Sequence, residues 1–351
     1  MQRLAALVVA LATLTACSPR SEASITTALY AFRTEPPALV ELSAEGRVSQ
    51  EIPVSIPAGC SLGNVFAPRA GATVAMEFTC EFGQAVLYVN TDTGAIRQPV
   101  TDSDSHFLAW APDGQAAYLK VDTVNQPHIV QVTLQGESRN IPLSELTYDM
   151  SLKPDSSELI YSFSRGMGQG SEMWHAKDGG GGAKRVLADP QSYLSFARWS
   201  PDGSKIAFIK TPDSATPFTV GELWVMNADG FGARKLADAD AGHGYAEEWS
   251  PDGSKIAFVV RENPEAAEAD QSVGALKSNL AVVELQDGSQ SQLTHFPDAR
   301  VEAPVWSPDG NRITFTAVLD DKMNIYTVDL TSGEVEQALP EPACCQAWIR
   351  K

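Results

Sequence analysis

Positive charge is scarce in this chain, in which 26 lysines and arginines stand against 44 aspartates and glutamates, giving a formal net charge of −18. Removing residues 1–16 deletes one positive charge, that of Arg3, and takes the balance from −18 to −19. A negative excess of this size repels nucleic acid and anionic lipid headgroups. We therefore predict no nucleic-acid partner and expect a basic partner instead.

Local catalytic motifs are also missing. The chain has no Gly-x-Ser-x-Gly nucleophile elbow. Residues 166–170 have a glycine at each end, as the elbow does, but no nucleophilic residue between them. The five histidines are scattered, and none stands at metal-ligand spacing from another. Local motifs therefore predict no catalytic residue, no metal and no cofactor.

Long apolar runs are limited to one, at the start of the chain. After Arg3, residues 4–14 are almost entirely apolar, and Leu14-Thr-Ala-Cys17 follows. This pattern predicts a secretory signal over 1–16 and resembles a bacterial lipobox, with Cys17 as the lipid-carrying (palmitoylated) residue and 17–24 as a tether. Ser18 after the cysteine resembles outer-membrane sorting. We expect an exported, lipid-anchored protein on the periplasmic side of the outer membrane, or alternatively an ordinary signal peptide.

Cysteines are few, with four left after Cys17. Cys60 and Cys80 are equidistant from Ala70, the centre of a predicted hairpin, so they fall opposite one another and a disulfide is favoured over two buried thiols. Cys344 and Cys345 are adjacent and could form a vicinal disulfide, stay reduced or pair with another chain. No histidine or further cysteine lies nearby in sequence to suggest a metal site.

A repeated phrase, Trp-Ser-Pro-Asp-Gly, begins at Trp199, Trp249 and Trp306, and Trp110 starts a close variant. Weaker copies share this frame at Phe66 and Leu152. In each unit an anchor strand is followed by a tight Pro-Asp-Gly turn and three further strands, which predicts four-stranded propeller blades.

The chain ends complete the ring. Residues 25–33, 38–42 and 48–54 are predicted as second to fourth strands without a first, while 345–349 around Trp348 is a first strand without the others. Joined, they close a seventh blade and leave no exposed edge. We predict an all-β, seven-bladed propeller over 25–351, with six blades as the alternative.

The repeated phrase resembles the WD-like repeat of the TolB-type propeller family, strongly in four units and weakly in the others. The resemblance implies a propeller fold. It also implies relatives of two kinds, namely envelope proteins that contact a lipoprotein and non-catalytic propellers of prolyl-oligopeptidase-like and polysaccharide-degrading enzymes. The protein that gives the family its name has an extra N-terminal domain and six blades, and we expect neither feature in this chain.

Repeated residues favour structural roles. Asp113, Asp202, Asp252 and Asp309 recur at one place in the turn, which indicates hydrogen bonds to their own backbone. The anchor tryptophans indicate packing between blades.

Function is therefore expected in the connections that precede the anchor strands, which gather on one face of a propeller. These connections are rich in acids and tyrosines, and we predict a binding face made of Asp102, Asp104, His106, Tyr148, Asp149, Tyr193, Asp238, Asp240, His243, Tyr245, Glu247 and Glu302. The same residues could equally form a solvated acidic rim. The long 261–278 segment is favoured as a mobile acidic loop over a functional lid.

Taken together, the sequence predicts a non-enzymatic scaffold that binds a protein, a peptide or an envelope glycan. The alternative is an enzyme acting on carbohydrate or peptide, with a site assembled from several blades. A metal-assisted version would need His106, His243 and His295 to converge. A third hypothesis is a subunit of a larger envelope assembly.

Overall fold

The computed structural model describes residues 27–43, 46–101, 104–122, 126–154, 158–240 and 246–350. Their regular structure is β throughout, except for one 3₁₀ turn at Val273–Ala275. The strands form seven four-stranded antiparallel sheets arranged as a seven-bladed propeller, as predicted. Among the described residues, no helix has the length and hydropathy to cross a membrane. The predicted signal peptide, Cys17 and the tether lie outside the described residues.

Blades 2 to 7 each use four consecutive strands. Blade 1 contains β1 (Thr27–Arg33), β2 (Ala38–Leu42), β3 (Val48–Pro53) and a strand from the other end of the chain; blade 2, β4 (Cys60–Phe66), β5 (Thr73–Cys80), β6 (Gly83–Asn90) and β7 (Ile96–Arg97); blade 3, β8 (Asp104–Trp110), β9 (Ala116–Asp122), β10 (Pro127–Thr133) and β11 (Ser138–Ile141); blade 4, β12 (Thr147–Leu152), β13 (Glu158–Phe163), β14 (Ser171–Lys177) and β15 (Lys184–Asp189). Blade 5 contains β16 (Ser192–Trp199), β17 (Lys205–Pro212), β18 (Gly221–Asn227) and β19 (Arg234–Ala239); blade 6, β20 (Glu248–Trp249), β21 (Lys255–Arg261), β22 (Ser278–Glu284) and β23 (Gln290–Gln292); blade 7, β24 (Arg300–Trp306), β25 (Arg312–Leu319), β26 (Lys322–Asp329) and β27 (Val335–Gln337); the closing strand of blade 1 is β28 (Ala343–Arg350).

The ring closes where the two chain ends meet. Strand β28 pairs antiparallel with β1, with Trp348 opposite Leu29 and Arg350 opposite Thr27. The six-bladed alternative is therefore wrong. Closure hydrogen-bonds an edge that would otherwise stay open.

The Pro-Asp-Gly turns use the repeated aspartates as predicted. In blade 5, Asp202 accepts hydrogen bonds from the Ser200 hydroxyl (2.6 Å) and the Ser204 backbone N–H (3.0 Å), and Gly203 has φ 69°. Asp252 and Asp309 repeat the arrangement. Asp fixes its own turn, and Gly supplies the left-handed residue that the turn needs.

The anchor tryptophans join neighbouring blades. The indole N–H of Trp110 donates to the Phe66 carbonyl, that of Trp249 to the Arg198 carbonyl and that of Trp306 to the Glu248 carbonyl, each at 3.0 Å. Every acceptor belongs to the preceding blade. The core likewise lies between blades: in one cluster Val259 of β21 packs with Phe315 of β25. Burying a side chain of this kind is worth roughly 1.5–3 kcal/mol.

The four described cysteines lie on the first strands of blades 1 and 2 and on the second strand of blade 2. Cys60 and Cys80 are paired in register on β4 and β5 and are joined by a disulfide. Cys344 and Cys345 form a vicinal disulfide on β28.

The two faces of the ring differ in what they carry. One holds the connections from each fourth strand to the next first strand, together with the loops between second and third strands; we call it the connection face. The other holds the Pro-Asp-Gly turns and is called the turn face. Because β1 starts and β28 ends on the turn face, the chain enters and leaves the ring there.

Candidate functional site

The predicted binding residues fall on the connection face and along the inner strands just below it. First strands contact the first strands of neighbouring blades, as β12 does with β8 and β16, so they line the centre of the ring. Asp102, His243 and Tyr245 lie outside the described residues. The other predicted residues are described, and they are distributed over blades 3 to 7.

Most of the predicted acids are already in ion pairs within the protein. Asp149 binds Arg198 (3.0 Å), Asp240 binds Arg261 (2.7 Å) and Asp238 binds Lys235 (2.6 Å). Glu302 is likewise paired with Arg300. These carboxylates therefore fix neighbouring segments, and they add less to an open acidic surface than their number suggests.

Two of the predicted tyrosines meet. The rings of Tyr148 and Tyr193 are edge to face with centroids 6.3 Å apart, and the Tyr148 hydroxyl donates to the Leu194 carbonyl at 2.6 Å. Burial is the main reason that the pKa of Tyr148 lies above its ordinary value. The pair braces blade 4 against blade 5 on the connection face.

Two of the first strands, which line the centre of the ring, are irregularly paired with their neighbours. Register breaks occur between Ser195 and Arg198 in β16 and between Glu302 and Val305 in β24, and the bulged residues Phe196 and Ala303 have φ of 55° and 47°. A bulge leaves backbone groups without ladder partners. In blade 5 the Ala197 N–H is satisfied by Asp149 of blade 4, at 2.8 Å.

Glu247 stands at the corresponding place in blade 6, two residues before its tryptophan. The same position holds Leu108, Ala197 and Pro304 in blades 3, 5 and 7, and all four residues are buried. Glu247 is only 1% exposed, and neither carboxylate oxygen has a hydrogen-bond partner among the described residues. Burial raises its pKa well above the ordinary value, and the nearby Arg198 opposes this only in part.

We call Asp149, Arg198, Glu247 and Glu248 the inner cluster. In it, the Arg198 guanidinium is paired with Asp149 and interacts electrostatically with Glu247 and Glu248. Burial raises the pKa of the half-buried Glu248 to about 7, against the opposing influence of Arg198 and Arg69. The cluster can therefore take up or release a proton near neutral pH.

A groove opens on the connection face between blades 5 and 6, with a volume of about 660 Å³. Its lining combines apolar side chains with charged ones, and the residues are Ser192, Lys210, Pro212, Val220, Gly221, Glu222, Asp238, Val260, Arg261 and Pro264. Of the predicted residues, Asp238 lines it.

The charged side chains of the groove are held in place by ion pairs. Lys210 binds Asp189 at 2.7 Å, and Lys235 binds Glu222 at 2.8 Å. Burial alone would raise the pKa of Glu222, but hydrogen bonds from Lys235 and Trp224 outweigh it and lower the pKa. The carboxylate therefore stays ionised and fixed at the groove wall.

The floor of the groove is the buried Arg261, which bridges Asp240 and Asp270 (2.7 and 2.9 Å). Through Asp270, Arg261 also ties down the 262–277 segment, in which Asn263 donates to the Ala275 carbonyl and Ala269 is fully buried. These bonds within the segment and to β21 favour an ordered conformation, and the mobility expected for residues 261–278 stays a prediction.

Of the histidines that the metal-assisted hypothesis requires, the two that the structure describes, His106 and His295, do not belong to one candidate metal group. His243 lies outside the described residues and His295 is exposed. Among the described residues, His106 instead meets two carboxylates of its own blade, Asp104 and Asp122. Sequence reasoning missed Asp122, and also Arg198, Lys210 and Arg261, because it weighed the connections before the anchor strands and not the strand ends opposite them.

No protein-family model and no curated protein matches the chain. Among solved structures, it is similar to TolB from Acinetobacter baumannii (19% identity, 86% of this chain and 68% of that one, TM-score 0.52). It is also similar to an oligogalacturonate lyase in complex with manganese (15%, 90% and 84%, TM-score 0.55) and to a puromycin-hydrolysing peptidase of Mycobacterium tuberculosis (15%, 90% and 52%, TM-score 0.62). At these identities the likeness establishes a TolB-like propeller fold, which confirms that part of the predicted resemblance.

Proposed function

We propose that this protein is an exported, lipid-anchored scaffold of the bacterial cell envelope, and that the groove between blades 5 and 6 binds a segment of a protein or peptide partner. The observation that carries the proposal is the groove itself. Its apolar walls at Pro212, Val220, Val260 and Pro264 stand beside carboxylates and an ammonium group held by ion pairs. Fixed polar groups within an apolar concavity are typical of binding sites.

The charge of the chain favours a basic partner. Asp238 at the groove edge has 71% of its side chain exposed, and the whole chain carries −18. A field of this sign accelerates encounter with cationic segments and disfavours acidic ones.

The proposed anchor fits the position of the groove. Residues 18–26 reach at most roughly 30 Å, so a lipid on Cys17 would hold the ring close to the membrane. Since the chain enters the ring at Thr27 on the turn face, the connection face and its groove would point away from the membrane. The likeness to TolB, an envelope protein in the family resemblance, is consistent with this placement.

The test is photo-crosslinking in cells, with a photoreactive amino acid at Pro264 on the groove wall or at Asp287 in an exposed turn on the opposite face. We expect a partner adduct from position 264 only. Asp238→Lys should weaken that adduct, whereas Asp287→Lys, the same charge change on the turn face, should not. Equal adducts from both positions, or none at 264, would refute the groove.

The anchor is tested separately. Cys17→Ala should abolish labelling by radioactive palmitate and release the protein from the membrane fraction. Retention of both properties would refute lipidation at Cys17 without bearing on the groove.

An enzyme acting on carbohydrate or peptide remains the second candidate, and one observation favours it. The pKa of Glu248, raised to about 7, suits a general acid or base at neutral pH. Turnover of envelope glycans or peptides by the purified protein, lost in Glu248→Gln, would establish this function in place of the scaffold.

A further inference from the structure

Three side chains of blade 3 converge outside the groove and the inner cluster. His106 Nε2 lies 3.8 Å from Asp104 Oδ1 and 3.7 Å from Asp122 Oδ2, and the three donor atoms lie within 4.8 Å of one another. Both distances exceed the 2.7–3.2 Å range of a hydrogen bond, so the imidazole lies between the carboxylates without being bonded to either.

The strand register explains the convergence and shows its electrostatic cost. Asp104 on β8 is directly opposite Asp122 on β9, and His106 follows on the same face of β8. Two like charges in directly opposed positions destabilise a sheet. Lys120, which is opposite His106, makes no ion pair within 4.0 Å in the part of the chain that the structure describes, so it does not neutralise them.

One of the carboxylates is positioned from the neighbouring blade. The Gln84 backbone N–H donates to Asp104 Oδ1, and a Cβ on the adjacent Gly83 (φ 97°) would lie 2.5 Å from Asp104 Cγ. The missing side chain at Gly83 therefore lets Asp104 approach the β5–β6 turn. A carboxylate oxygen has two lone pairs, so Asp104 Oδ1 can accept this bond and still bind a ligand together with Asp122 Oδ2.

The donor set and its spacing select a metal. A neutral imidazole with two carboxylates suits divalent transition ions better than Ca²⁺ or Mg²⁺, which prefer all-oxygen sites. Donors at tetrahedral angles around Zn²⁺ lie about 3.4 Å apart, whereas neighbouring donors of an octahedral ion lie about 3.0 Å apart. His106 Nε2 lies 3.8 Å from Asp104 Oδ1 and 3.7 Å from Asp122 Oδ2, and these distances are closer to the tetrahedral spacing than to the octahedral one.

We propose that Asp104, His106 and Asp122 bind one Zn²⁺ ion on the connection face of blade 3. The three ligands leave the fourth position to water, since these side chains are about one-third exposed. This site is independent of the proposed groove, because the two lie on different blades.

The test measures Zn²⁺ binding directly, by competition with a fluorescent chelator, on the detergent-solubilised full chain purified without a histidine tag. We expect one Zn²⁺ per chain, at least about 100-fold weaker binding in His106→Ala and in Asp122→Asn, and unchanged binding in His128→Ala. His128 is a matched control because it lies on β10 of the same blade and, within the described part of the chain, its side chain is hydrogen-bonded to the Gln126 carbonyl.

A second measurement guards against loss of folding. Without metal, Asp122→Asn should melt at or above the wild-type temperature, because it removes one of two opposed charges. Added Zn²⁺ should raise the melting temperature of the wild type and of His128→Ala, and leave that of His106→Ala unchanged. A wild type without stoichiometric binding, or His106→Ala binding within threefold of it, would overturn the proposal.

Discussion

Replacing Glu248 by Gln tests whether the inner cluster holds a carboxyl group that is reluctant to ionise. The pKa of Glu248 is raised from 4.5 to about 7, chiefly by burial. The folded state therefore binds a proton that the unfolded state has lost between these values, and stability falls as the pH rises through this window. At 1.36 kcal/mol per pH unit the full loss is about 3 kcal/mol, of which about 2 kcal/mol falls between pH 5.5 and pH 8.

The amide of Gln cannot ionise, so Glu248→Gln should lack this loss. We expect the variant to gain about 2 kcal/mol over the wild type on going from pH 5.5 to pH 8, measured by equilibrium unfolding in urea. Both pH values lie above the sequence pI of about 4.6, which favours solubility. Glu336→Gln, on the exposed strand β27, is the control and should run parallel to the wild type. A difference between Glu248→Gln and wild type that is the same at both pH values would refute the reasoning.

Two further substitutions test the joints between blades. Arg198→Met should cost about 2–4 kcal/mol in unfolding free energy, because it takes the guanidinium from the buried Asp149, whereas Arg165→Met, in the exposed pair with Glu172, should cost under about 1 kcal/mol; equal losses would contradict the inner cluster. Trp306→Phe should cost about 1 kcal/mol more than Trp348→Phe, since Trp306 donates to the Glu248 carbonyl and the Trp348 indole N–H has no partner among the described residues. Thermal and urea unfolding of the four variants measure both differences, and equal costs for the two tryptophan variants would argue against the inter-blade bond.

The fold was predictable because each copy of the repeated phrase carries the same structural signals. Each Pro-Asp-Gly turn fixes a hairpin, the tryptophan before it fixes the contact with the preceding blade, and the spacing of the copies gives the count. The closing strand was predictable as well, because a closed ring requires the strand that contains Trp348 to pair with the free edge of β1. These features are local in sequence or repeat at a near-constant interval.

The candidate sites were less accessible because their partners come from elsewhere in the chain. The acids of the connections could be read from the sequence, but their cations could not: Arg261 is at the end of a second strand and Arg198 is inside a first strand. Arg198 also lies at a register break of β16, which no local sequence pattern predicts. An acid count therefore overstated the open negative surface.

Some of this information was nevertheless present in the sequence. Cys60 and Cys80 face each other because they are equidistant from the centre of their hairpin, and Asp104 and Asp122 are likewise equidistant from Asp113 of the next blade. Along the chain, no other histidine stands at metal-ligand spacing from His106. Applied across the hairpin, the same symmetry brings a carboxylate from each strand to His106.

Positions at which a blade departs from the repeat indicate residues that are not explained by packing of the blades alone. At the position two before the tryptophan, blades 3, 5 and 7 place an apolar residue and blade 1 places Gln346, which is hydrogen-bonded to Thr316 and Ala303. Blade 6 places Glu247, whose carboxyl group has no hydrogen bond among the described residues. A buried polar group without partners costs stability, and packing of the blade does not require it, since alanine fills the same place in blade 5. Glu247 therefore lowers the stability of the propeller relative to an apolar residue at the same position. Burial and the negative charges of Asp149 and Glu248 oppose its ionisation, whereas the guanidinium of Arg198 favours it.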